Sequence, residues 1–391
     1  MFIISTLLIG LVLFIYTLWR IIWPLPMRWW WKVLLCLPMG MGAFRYPLLY
    51  AVYGGHFFRP DCPMWVELLG SWLFISLIVL LGLLVVMEVI MLPLRLLQRR
   101  WGFFRKLRRA LLTLCAPVAL LTAAWGMYQA FALPEVKEVS IYIPQLKHPV
   151  SMAMLTDLHA DRYKQAEFFR EVVKRTNALQ ADIVVITGDF EDGHLYHLAP
   201  ALAPLRELES RWGTYAVDGN HDYFSGHDAW QRYLSKLGIR FLNNEHVLPG
   251  PGHIVLAGVT DPAAVRDNCP PPDVEQALAN RPQDETPTVL LAHQPRLAAR
   301  AAARGVQLQL SGHTHGGQAP GLRELIALFN DGLVQGLNRR NGLQVYISNG
   351  TSLWSGFPFR LFTPAEITHI HLLPEEKKWK KKVIRKSVIS A

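Results

Sequence analysis

Long uncharged runs dominate the first part of the chain. The first extends from Phe2 to Ile22 with Arg20 as its only charge, which matches the about 20 residues that a helix needs to cross a bilayer. No Lys or Arg precedes this run and no small-residue cleavage site follows it, so a retained helix is favoured over a cleavable signal peptide. Residues 68–87 and 110–133 are two further uncharged runs that predict spanning helices.

A fourth apolar segment, residues 33–53, is interrupted by helix-weakening residues. Pro38, Gly40, Gly42 and Pro47 stand within it, together with the charged Arg45. Because proline and glycine both destabilise a helix interior, we expect this segment to be broken or re-entrant. The pattern therefore predicts a transmembrane region over residues 1–134 with three or four helices.

Basic residues between the last two long runs indicate how the chain is oriented. Seven of them lie within residues 95–109, with no acidic residue among them: Arg95, Arg99, Arg100, Arg105, Lys106, Arg108 and Arg109. Lys and Arg accumulate in cytoplasmic loops, so we expect this loop inside and the chain after Leu133 outside. Glu88, near the end of the preceding run, is either a buried functional carboxylate, or a residue that lies near the membrane interface or pairs with a neighbouring basic residue.

Beyond Leu133, short buried-strand patterns alternate with helical ones. Residues 151–156 and 182–187 predict two buried strands, and residues 165–179 between them have the apolar spacing of a helix. Similar strand patterns follow at residues 214–217, 254–259, 288–291, 306–310 and 345–348. Strands separated by helices in this way predict one α/β domain whose sheets are covered by helices.

Composition changes this picture mainly through the distribution of charge. The formal net charge is +10, yet residues 1–134 hold 12 Lys/Arg against 3 Asp/Glu and residues 374–391 hold 7 against 2, which leaves the middle at −4. A basic membrane-flanking region and a basic tail favour lipid head groups over a nucleic acid as partner. The tail, residues 374–391, either binds anionic lipids or is a solvated end. The four scattered cysteines indicate neither a disulfide framework nor a thiolate metal site.

Residues that bind metals follow several of the predicted strands. In chain order they are Asp157-Leu158-His159, Gly188-Asp189-Phe190-Glu191-Asp192-Gly193, Gly219-Asn220-His221-Asp222, Ala292-His293 and Gly312-His313-Thr314-His315. Each segment alone has an ordinary structural explanation, such as a turn carboxylate or a surface histidine. Together they stand at the carboxyl ends of strands, where α/β sheets collect ligands, and they indicate a metal site.

This order of motifs resembles the calcineurin-like metallophosphoesterase superfamily, and Gly312-His-Thr-His-Gly-Gly-Gln318 resembles its membrane-attached bacterial branch. The resemblance covers residues 147–373 and implies two mixed β-sheets sandwiched between helices. It also implies two divalent metal ions, Mn²⁺, Fe or Zn²⁺. Asp157, His159 and His315 would bind one ion and Asn220, His293 and His313 the other, with Asp189 bridging the pair.

The resemblance also implies residues that act without binding metal. His221 would lie beside the phosphate, oriented by Asp192, and would protonate the leaving oxygen. Arg360 would add a phosphate contact, and its alternative role is a structural surface ion pair. Apolar residues nearby form either a rim for a lipid-linked substrate or the core of a last strand and its loop: Trp354, Phe357, Phe359, Leu361 and Phe362.

The expected function is hydrolysis of a phosphoester or pyrophosphate bond by metal-activated water, with a phospholipid among the candidate substrates. The resemblance places the chain in a bacterial inner membrane, and the charge pattern places the catalytic domain on its periplasmic side. One alternative is a cytoplasmic-facing pyrophosphohydrolase of a nucleotide-linked lipid precursor, which the basic loop at residues 95–109 disfavours. The other is a non-catalytic scaffold or sensor with a structural metal site, which has no need of a proton donor such as His221.

Overall fold

The structure is a computed structural model that describes residues 2–98, 102–282 and 284–375. Arg99 and Arg100 of the basic loop lie outside these ranges, as does the basic tail from residue 376 onward. The sidedness of the loop and the role of the tail therefore stay predictions.

Five helices form the described part of the amino-terminal region. Their bounds are α1 Phe2–Thr17, α2 Trp29–Ala43, α3 Arg45–Tyr53, α4 Met64–Gln98 and α5 Gly102–Phe131, and a π-helical turn, Leu18–Ile22, extends α1. Three stretches are long and apolar enough to cross a membrane: Ile3–Ile22, Met64–Leu92 and Ala110–Phe131. They coincide with the three uncharged runs that predict spanning helices.

The interrupted segment consists of α2 and α3, which are bent by 81° relative to each other. Pro47 has no N–H to donate to the carbonyl of Ala43, and its ring crowds that carbonyl, so a straight helix cannot continue past Phe44. The expectation of a broken segment is confirmed. If the bent pair counts as one span, the described residues contain four candidate spans.

Small residues and one ion pair join the helices. A Cβ on Gly10 would collide with the carbonyl oxygen of Ala43, and a Cβ on Gly42 would stand 2.9 Å from the backbone of α4. Such positions let helix backbones approach closely, which is how helices associate where lipid removes the hydrophobic driving force. Glu88 forms an ion pair with Arg20 of the π-helical turn, so it pairs with a basic residue, as one of its two expected roles requires.

Two six-stranded sheets build the α/β domain. A separate short hairpin between α3 and α4 is formed by β1 Gly55–His56 and β2 Arg59–Pro60. The strands of the two sheets are β3 Glu135–Ile143, β4 Val150–Leu155, β5 Ile183–Thr187, β6 Thr214–Val217, β7 Ile239–Phe241, β8 Glu245–Val247, β9 Val255–Gly258, β10 Thr288–Leu291, β11 Leu308–Ser311, β12 Gly336–Arg340, β13 Leu343–Ile347 and β14 Glu366–Pro374. The helices are α6 Ala166–Asn177, α7 Leu195–Leu202, α8 His227–Lys236, α9 Val274–Ala277, α10 Ala298–Ala303 and α11 Leu322–Phe329.

Both sheets mix parallel and antiparallel pairs. The first has the order β3-β14-β4-β5-β6-β7, with β4 to β7 parallel and β14 antiparallel to β4. The second has the order β12-β13-β11-β10-β9-β8, with antiparallel strands at its two edges. The seven predicted strands are confirmed as β4, β5, β6, β9, β10, β11 and β13. The strand β3 lies before residue 147, where the sequence resemblance begins.

Three apolar layers hold this domain together. The facing sides of the two sheets bury residues such as Met154 and Leu310. The outer face of the first sheet packs on α6, α7 and α8 through side chains that include Phe169 and Trp230, and the outer face of the second packs on α9 and α10 through Ala301 and its neighbours. The fold of two mixed sheets sandwiched between helices is thereby confirmed.

The loop of residues 354–361 attaches the α/β domain to the membrane helices. The N–H of Arg360 donates to the carbonyl of Gly126 in α5 at 3.0 Å, and the hydroxyl of Tyr46 in α3 donates to the carbonyl of Gly356 at 2.6 Å. Phe359, 5% exposed, packs against α4 and α5 with Phe357 and Leu361 beside it. Those three residues therefore pack on the membrane helices, a setting that neither expected role of the apolar cluster includes.

A buried charge cluster makes a second attachment. Glu67, in the first turn of α4, accepts a hydrogen bond from the hydroxyl of Tyr163 at 2.7 Å and forms an ion pair with Arg162. Arg45 of α3 lies 4.0 Å from the same carboxylate and donates to the carbonyl of Gly356. The α/β domain is thus held to α3, α4 and α5 by directional polar contacts as well as by apolar packing.

We predict that Gly126→Ala loosens this attachment. Its Cβ would collide with the ring of Phe359, and relieving such overpacking typically costs about 1–3 kcal/mol. Thermal unfolding of the full chain in detergent should show a lower midpoint. Gly82→Ala in α4 is the matched control, because nothing lies within 4 Å of its Cβ position. Equal midpoints for the two variants would contradict the packing described here.

Candidate metal centre

The predicted metal ligands lie in turns that follow the carboxyl ends of strands in both sheets. The turns carry Asp157 and His159 after β4, Asp189 after β5, Asn220 after β6, His293 after β10, and His313 and His315 after β11. Strands from both sheets end at this point, so the ligands meet at one end of the sandwich. The structure brings six of these residues together in two groups, and Asn220 stands between Gly219 and His221, which both lie against Asp189.

Five of these residues adopt a left-handed backbone conformation. The φ angles are 53° at Asp157, 44° at His159, 57° at Asp189, 70° at His313 and 49° at His315. Such a conformation costs a residue with a Cβ on the order of 1–3 kcal/mol and persists where the surroundings impose it, commonly at functional sites. Here the N–H of His159 donates to the carbonyl of Asp189 at 3.0 Å, and the N–H of His313 donates to the carboxylate of Asp157.

The side chains form two groups that could each hold an ion. Asp157, His159 and His315 make one group and Asp189, His293 and His313 the other, and within each the ligand atoms lie within 4.8 Å of one another. Asp157 Oδ1 lies 3.9 Å from His159 Nε2 and 3.7 Å from His315 Nε2. Asp189 Oδ2 lies 3.2 Å from His293 Nε2. These distances leave room for a cation between the atoms.

Unsatisfied buried atoms show that the site fits metal ions. Nε2 of His159, Nε2 of His293 and Oδ1 of Asn220 are buried and lack a hydrogen-bond partner among the described residues. Native structures contain few such atoms, because each loses its hydration without compensation. His293 Nδ1 lies 2.7 Å from the carbonyl of Thr187, so that nitrogen carries the proton and Nε2 is free to bind metal. Nitrogen and oxygen donors without thiolate suit divalent ions such as Mn²⁺, Fe²⁺ or Zn²⁺.

The carboxylate of Asp192 contacts two histidines at once. Its Oδ1 accepts from His221 Nδ1 at 2.6 Å, and its Oδ2 lies 3.2 Å from His159 Nδ1. The rings of His159 and His221 meet edge to face, with centroids 4.8 Å apart. Asp192 therefore holds the predicted proton donor by a hydrogen bond and lies in contact with one predicted metal ligand.

Comparison with known proteins identifies the family. The family model for calcineurin-like phosphoesterases matches residues 151–317. Over 263 residues the chain is 36% identical to a Helicobacter pylori strain J99 protein named "Uncharacterized metallophosphoesterase", which covers 66% of this chain and 70% of that protein. The chain belongs to the calcineurin-like phosphoesterase family. It is thus a metal-dependent phosphoric ester hydrolase by family.

Two further proteins show more distant similarity. The phosphoesterase is 34% identical over 285 residues to a Danio rerio protein named "Transmembrane protein with metallophosphoesterase domain", covering 69% of this chain and 63% of that protein. The 5'-nucleotidase precursor from Thermus thermophilus aligns with a TM-score of 0.35 at 16% identity, over 58% of this chain and 55% of that one.

The electrostatics of the phosphoesterase site suit metal binding by neutral imidazoles at His313 and His315, whereas at His293 the carboxylate of Asp189 outweighs burial and raises the pKa well above its usual value. Burial, followed by the neighbouring His293, lowers the pKa of His313 to about 3, and burial with His159 lowers the pKa of His315 well below its usual value. Neutral rings are the form that ligates a metal. His221 differs: burial lowers its pKa, but the carboxylates of Asp189 and Asp192 outweigh burial and raise the pKa to about 9. It is the histidine poised to carry a proton.

Asp222 supports the site in a way that the sequence analysis missed. Its carboxylate accepts hydrogen bonds from the backbone N–H groups of Asp189 at 2.9 Å, Phe190 at 2.8 Å and Gly219 at 2.6 Å. It therefore ties the turn after β5 to the turn after β6. The signal was present, because Asp222 follows His221 in the motif, but the sequence alone did not show which backbone groups it would bind.

Arg360 lies in a different setting from either expected one. It is 1% exposed and donates to the carbonyls of Asn349, Ser352 and Thr363. Burial lowers its pKa to about 10. A structural surface ion pair is wrong for this residue, since it is buried and its described hydrogen-bond partners are carbonyls. A phosphate contact by Arg360 stays a prediction.

We predict that Asp222→Asn weakens metal binding and stability together. An amide has one acceptor oxygen in place of two, and its NH₂ group would face backbone donors, a loss of about 1–3 kcal/mol. Metal analysis of the purified chain should find less bound metal, and the unfolding midpoint should fall. Asp228→Asn is the control, because the side chain of Asp228 is 77% exposed. Unchanged metal content in Asp222→Asn would contradict the supporting role.

Proposed function

We propose that this phosphoesterase binds two divalent ions in adjacent positions and cleaves a phosphoester or pyrophosphate bond of a lipid-linked substrate at a membrane surface. The observation that carries the two-ion proposal is that Asp189 serves both ligand groups, with Oδ2 at 3.6 Å from His159 Nε2 and 3.2 Å from His293 Nε2. In this assignment Asp157, His159 and His315 would hold one ion, Asn220, His293 and His313 would hold the other, and Asp189 would be a ligand of both.

The residues of the chain supply the proton chemistry around the ions. When bound, two such ions polarise phosphate oxygens and lower the pKa of a shared water. The raised pKa of His221, about 9, keeps its ring protonated on both nitrogens at pH 7, so Nδ1 donates to Asp192 while Nε2 carries the proton that can pass to the leaving oxygen. General acid catalysis of this kind contributes typically about 10²–10⁴-fold. Asp192 accepts a hydrogen bond from His221 and also contacts His159, so the proton donor is held next to a metal ligand.

Contacts with the membrane helices support a lipid-linked substrate. The loop of residues 354–361 binds Gly126, which lies within the apolar stretch Ala110–Phe131. Trp354 in that loop contacts His221, with ring centroids 5.8 Å apart. One loop therefore contacts the apolar helix α5 through Arg360 and the predicted proton donor through Trp354, six residues earlier. A catalytic centre tethered beside a bilayer meets lipid phosphates at high effective concentration.

Exposed apolar side chains on the same side of the domain agree with this placement. Leu328 and Phe329 of α11 are 79% and 63% exposed, and Phe362 is 85% exposed. Ala319, just before α11, packs with the α4 and α5 residues that contact Phe359. Large apolar side chains that are exposed next to membrane helices suit contact with lipid.

We predict that His221→Ala and Asp189→Ala fail in different ways. In purified full-length protein assayed with p-nitrophenyl phosphate and each metal in turn, His221→Ala should keep its metal and lose about 10²–10⁴-fold in kcat. Asp189→Ala should lose both metal and activity. A substrate with an activated leaving group should reduce the His221→Ala defect, because less protonation is needed.

The same assay tests the proposal as a whole. Full activity of the wild-type chain after exhaustive chelation, or one ion per active chain at saturation, would contradict the two-ion assignment. Loss of metal in His221→Ala would make that residue a ligand. A panel of phosphomonoesters, phosphodiesters, nucleotide-linked pyrophosphates and phospholipids then identifies the substrate class. No turnover of any of them by metal-loaded protein would favour the scaffold or sensor alternative.

We predict that the catalytic domain lies on the outer side of the cytoplasmic membrane of a bacterium. The basic residues at 95–109 favour an inside loop, and one further crossing through Ala110–Phe131 reaches the outside. A reporter that is active only when exported, fused after Leu373, should be active. Protease added to spheroplasts should digest the domain. Protection of the domain in intact spheroplasts would reverse the orientation and favour the cytoplasmic nucleotide-linked alternative.

A further inference from the structure

The hairpin between α3 and α4 lies beside the metal centre. It comprises residues 55–60, with β1 and β2 paired antiparallel. Phe58 at its turn contacts Trp354, with ring centroids 5.4 Å apart, and Trp354 contacts His221. The helical region therefore does more than anchor the catalytic domain, because a segment between two of its helices reaches the predicted proton donor.

Arg59 stands beside the residues that position this proton donor. Its Nη1 lies 3.2 Å from the position that a Cβ on Gly193 would occupy. Gly193 directly follows Asp192, whose carboxylate binds His221 and contacts His159. Because Gly193 has no side chain, the Arg59 guanidinium can approach the backbone next to Asp192.

The guanidinium of Arg59 lacks an anionic partner in the described part of the chain. No carboxylate within ion-pair distance and no hydrogen-bond acceptor is found for it there. Two other arginines at the junction of the helices with the domain, Arg45 and Arg162, both lie near Glu67. Arg59 is half-buried, and a cation that loses part of its hydration without a partner is unfavourable.

The neighbouring His56 does not share this positive charge. Partial burial and the charge of Arg59 lower the pKa of His56, so its ring is neutral at pH 7. Asp192 and His221 also act electrostatically on His56, which agrees with the short path from hairpin to site. Arg59 is consequently the cation that the hairpin presents. A planar guanidinium matches the spacing of two phosphate oxygens.

We propose that Arg59 binds anionic phosphate oxygens of the substrate, so that the helical region contributes an anion subsite to the catalytic centre. This inference rests on the proposed function and specifies it. The charged end of the substrate would be held between the α/β domain and the hairpin. The oxygens belong either to the phosphate that reacts or to a second phosphate beside it.

The test measures binding of inorganic phosphate and pyrophosphate to metal-loaded, full-length protein in detergent by calorimetry. Arg59→Ala should weaken phosphate binding about 10-fold or more, as expected for loss of a hydrogen bond to a charged group. Arg59→Lys should lie between Arg59→Ala and the wild type, because it keeps the charge without the planar fork. Arg170→Ala is the control, since the half-exposed Arg170 pairs with Glu167 on α6. A larger loss for pyrophosphate than for phosphate indicates the second phosphate.

Hydrolysis provides the second measurement. With p-nitrophenyl phosphate, Arg59→Ala should raise KM about 10-fold or more and change kcat less, with unchanged metal content. Where Arg59→Ala lowers stability, Arg59→Gln removes the charge and keeps a side chain of similar reach. Normal folding with weakened phosphate binding in Arg59→Gln supports the subsite.

The outcomes separate this inference from the proposed function. Hydrolysis by the wild type with unchanged KM and phosphate affinity in both Arg59 variants would overturn the subsite and leave the hydrolase intact. Arg59-dependent phosphate binding without hydrolysis of any ester would support the subsite and reject the proposed reaction. Lower stability with unaltered phosphate affinity in both variants would make Arg59 a structural residue and overturn the inference.

Discussion

The buried carboxylate of Asp189 is the group on which the rest of the site depends. Oδ1 accepts the backbone N–H of His221 at 2.8 Å, and Oδ2 lies 3.2 Å from His293 Nε2. The backbone N–H of Asp189 is itself held by Asp222. A side chain at Gly219 would collide with Oδ1, so only glycine lets the turn after β6 approach this closely. A shift of this one carboxylate would therefore alter both groups of predicted ligands and the position of His221, the predicted proton donor, together.

The contacts between the amino-terminal helices and the α/β domain impose a second constraint. They fix the orientation of the domain relative to the helices more than they add to the stability of the fold. Glu67 and Arg45 are 2% and 1% exposed, and Glu67 accepts from Arg162 and Tyr163 of the α/β domain. Buried ion pairs gain little net free energy after desolvation, but breaking one partner out of a pair is costly. A rotation of the domain against α4 would leave these groups unpaired. The contact thus keeps the hairpin, whose end adjoins α4, beside the metal centre.

The sequence predicted those elements that a short stretch of residues is enough to define. Asp157 and His313 were found because each follows a short buried strand, and the apolar spans were found from their lack of charge. The strand β3 was missed, since Glu135 and Lys137 interrupt its pattern and its pairing with β14 joins residues more than 200 positions apart. The hairpin strands have two residues each and no periodicity, so the role of Arg59 required the three-dimensional contact with Gly193.

A catalytic centre beside a bilayer also changes what its binding residues need to achieve. If the substrate is lipid-linked, its confinement to the surface supplies effective concentrations that a soluble enzyme would have to match by affinity. Binding energy is then more useful in the transition state than in the ground state, because uniform binding at saturating substrate does not accelerate the reaction. The proposed contact of Arg59 with phosphate would act mainly on KM and so would not itself meet this condition; its role would be to place the substrate phosphate beside His221, while the lipid portion needs little specific contact with the α/β domain.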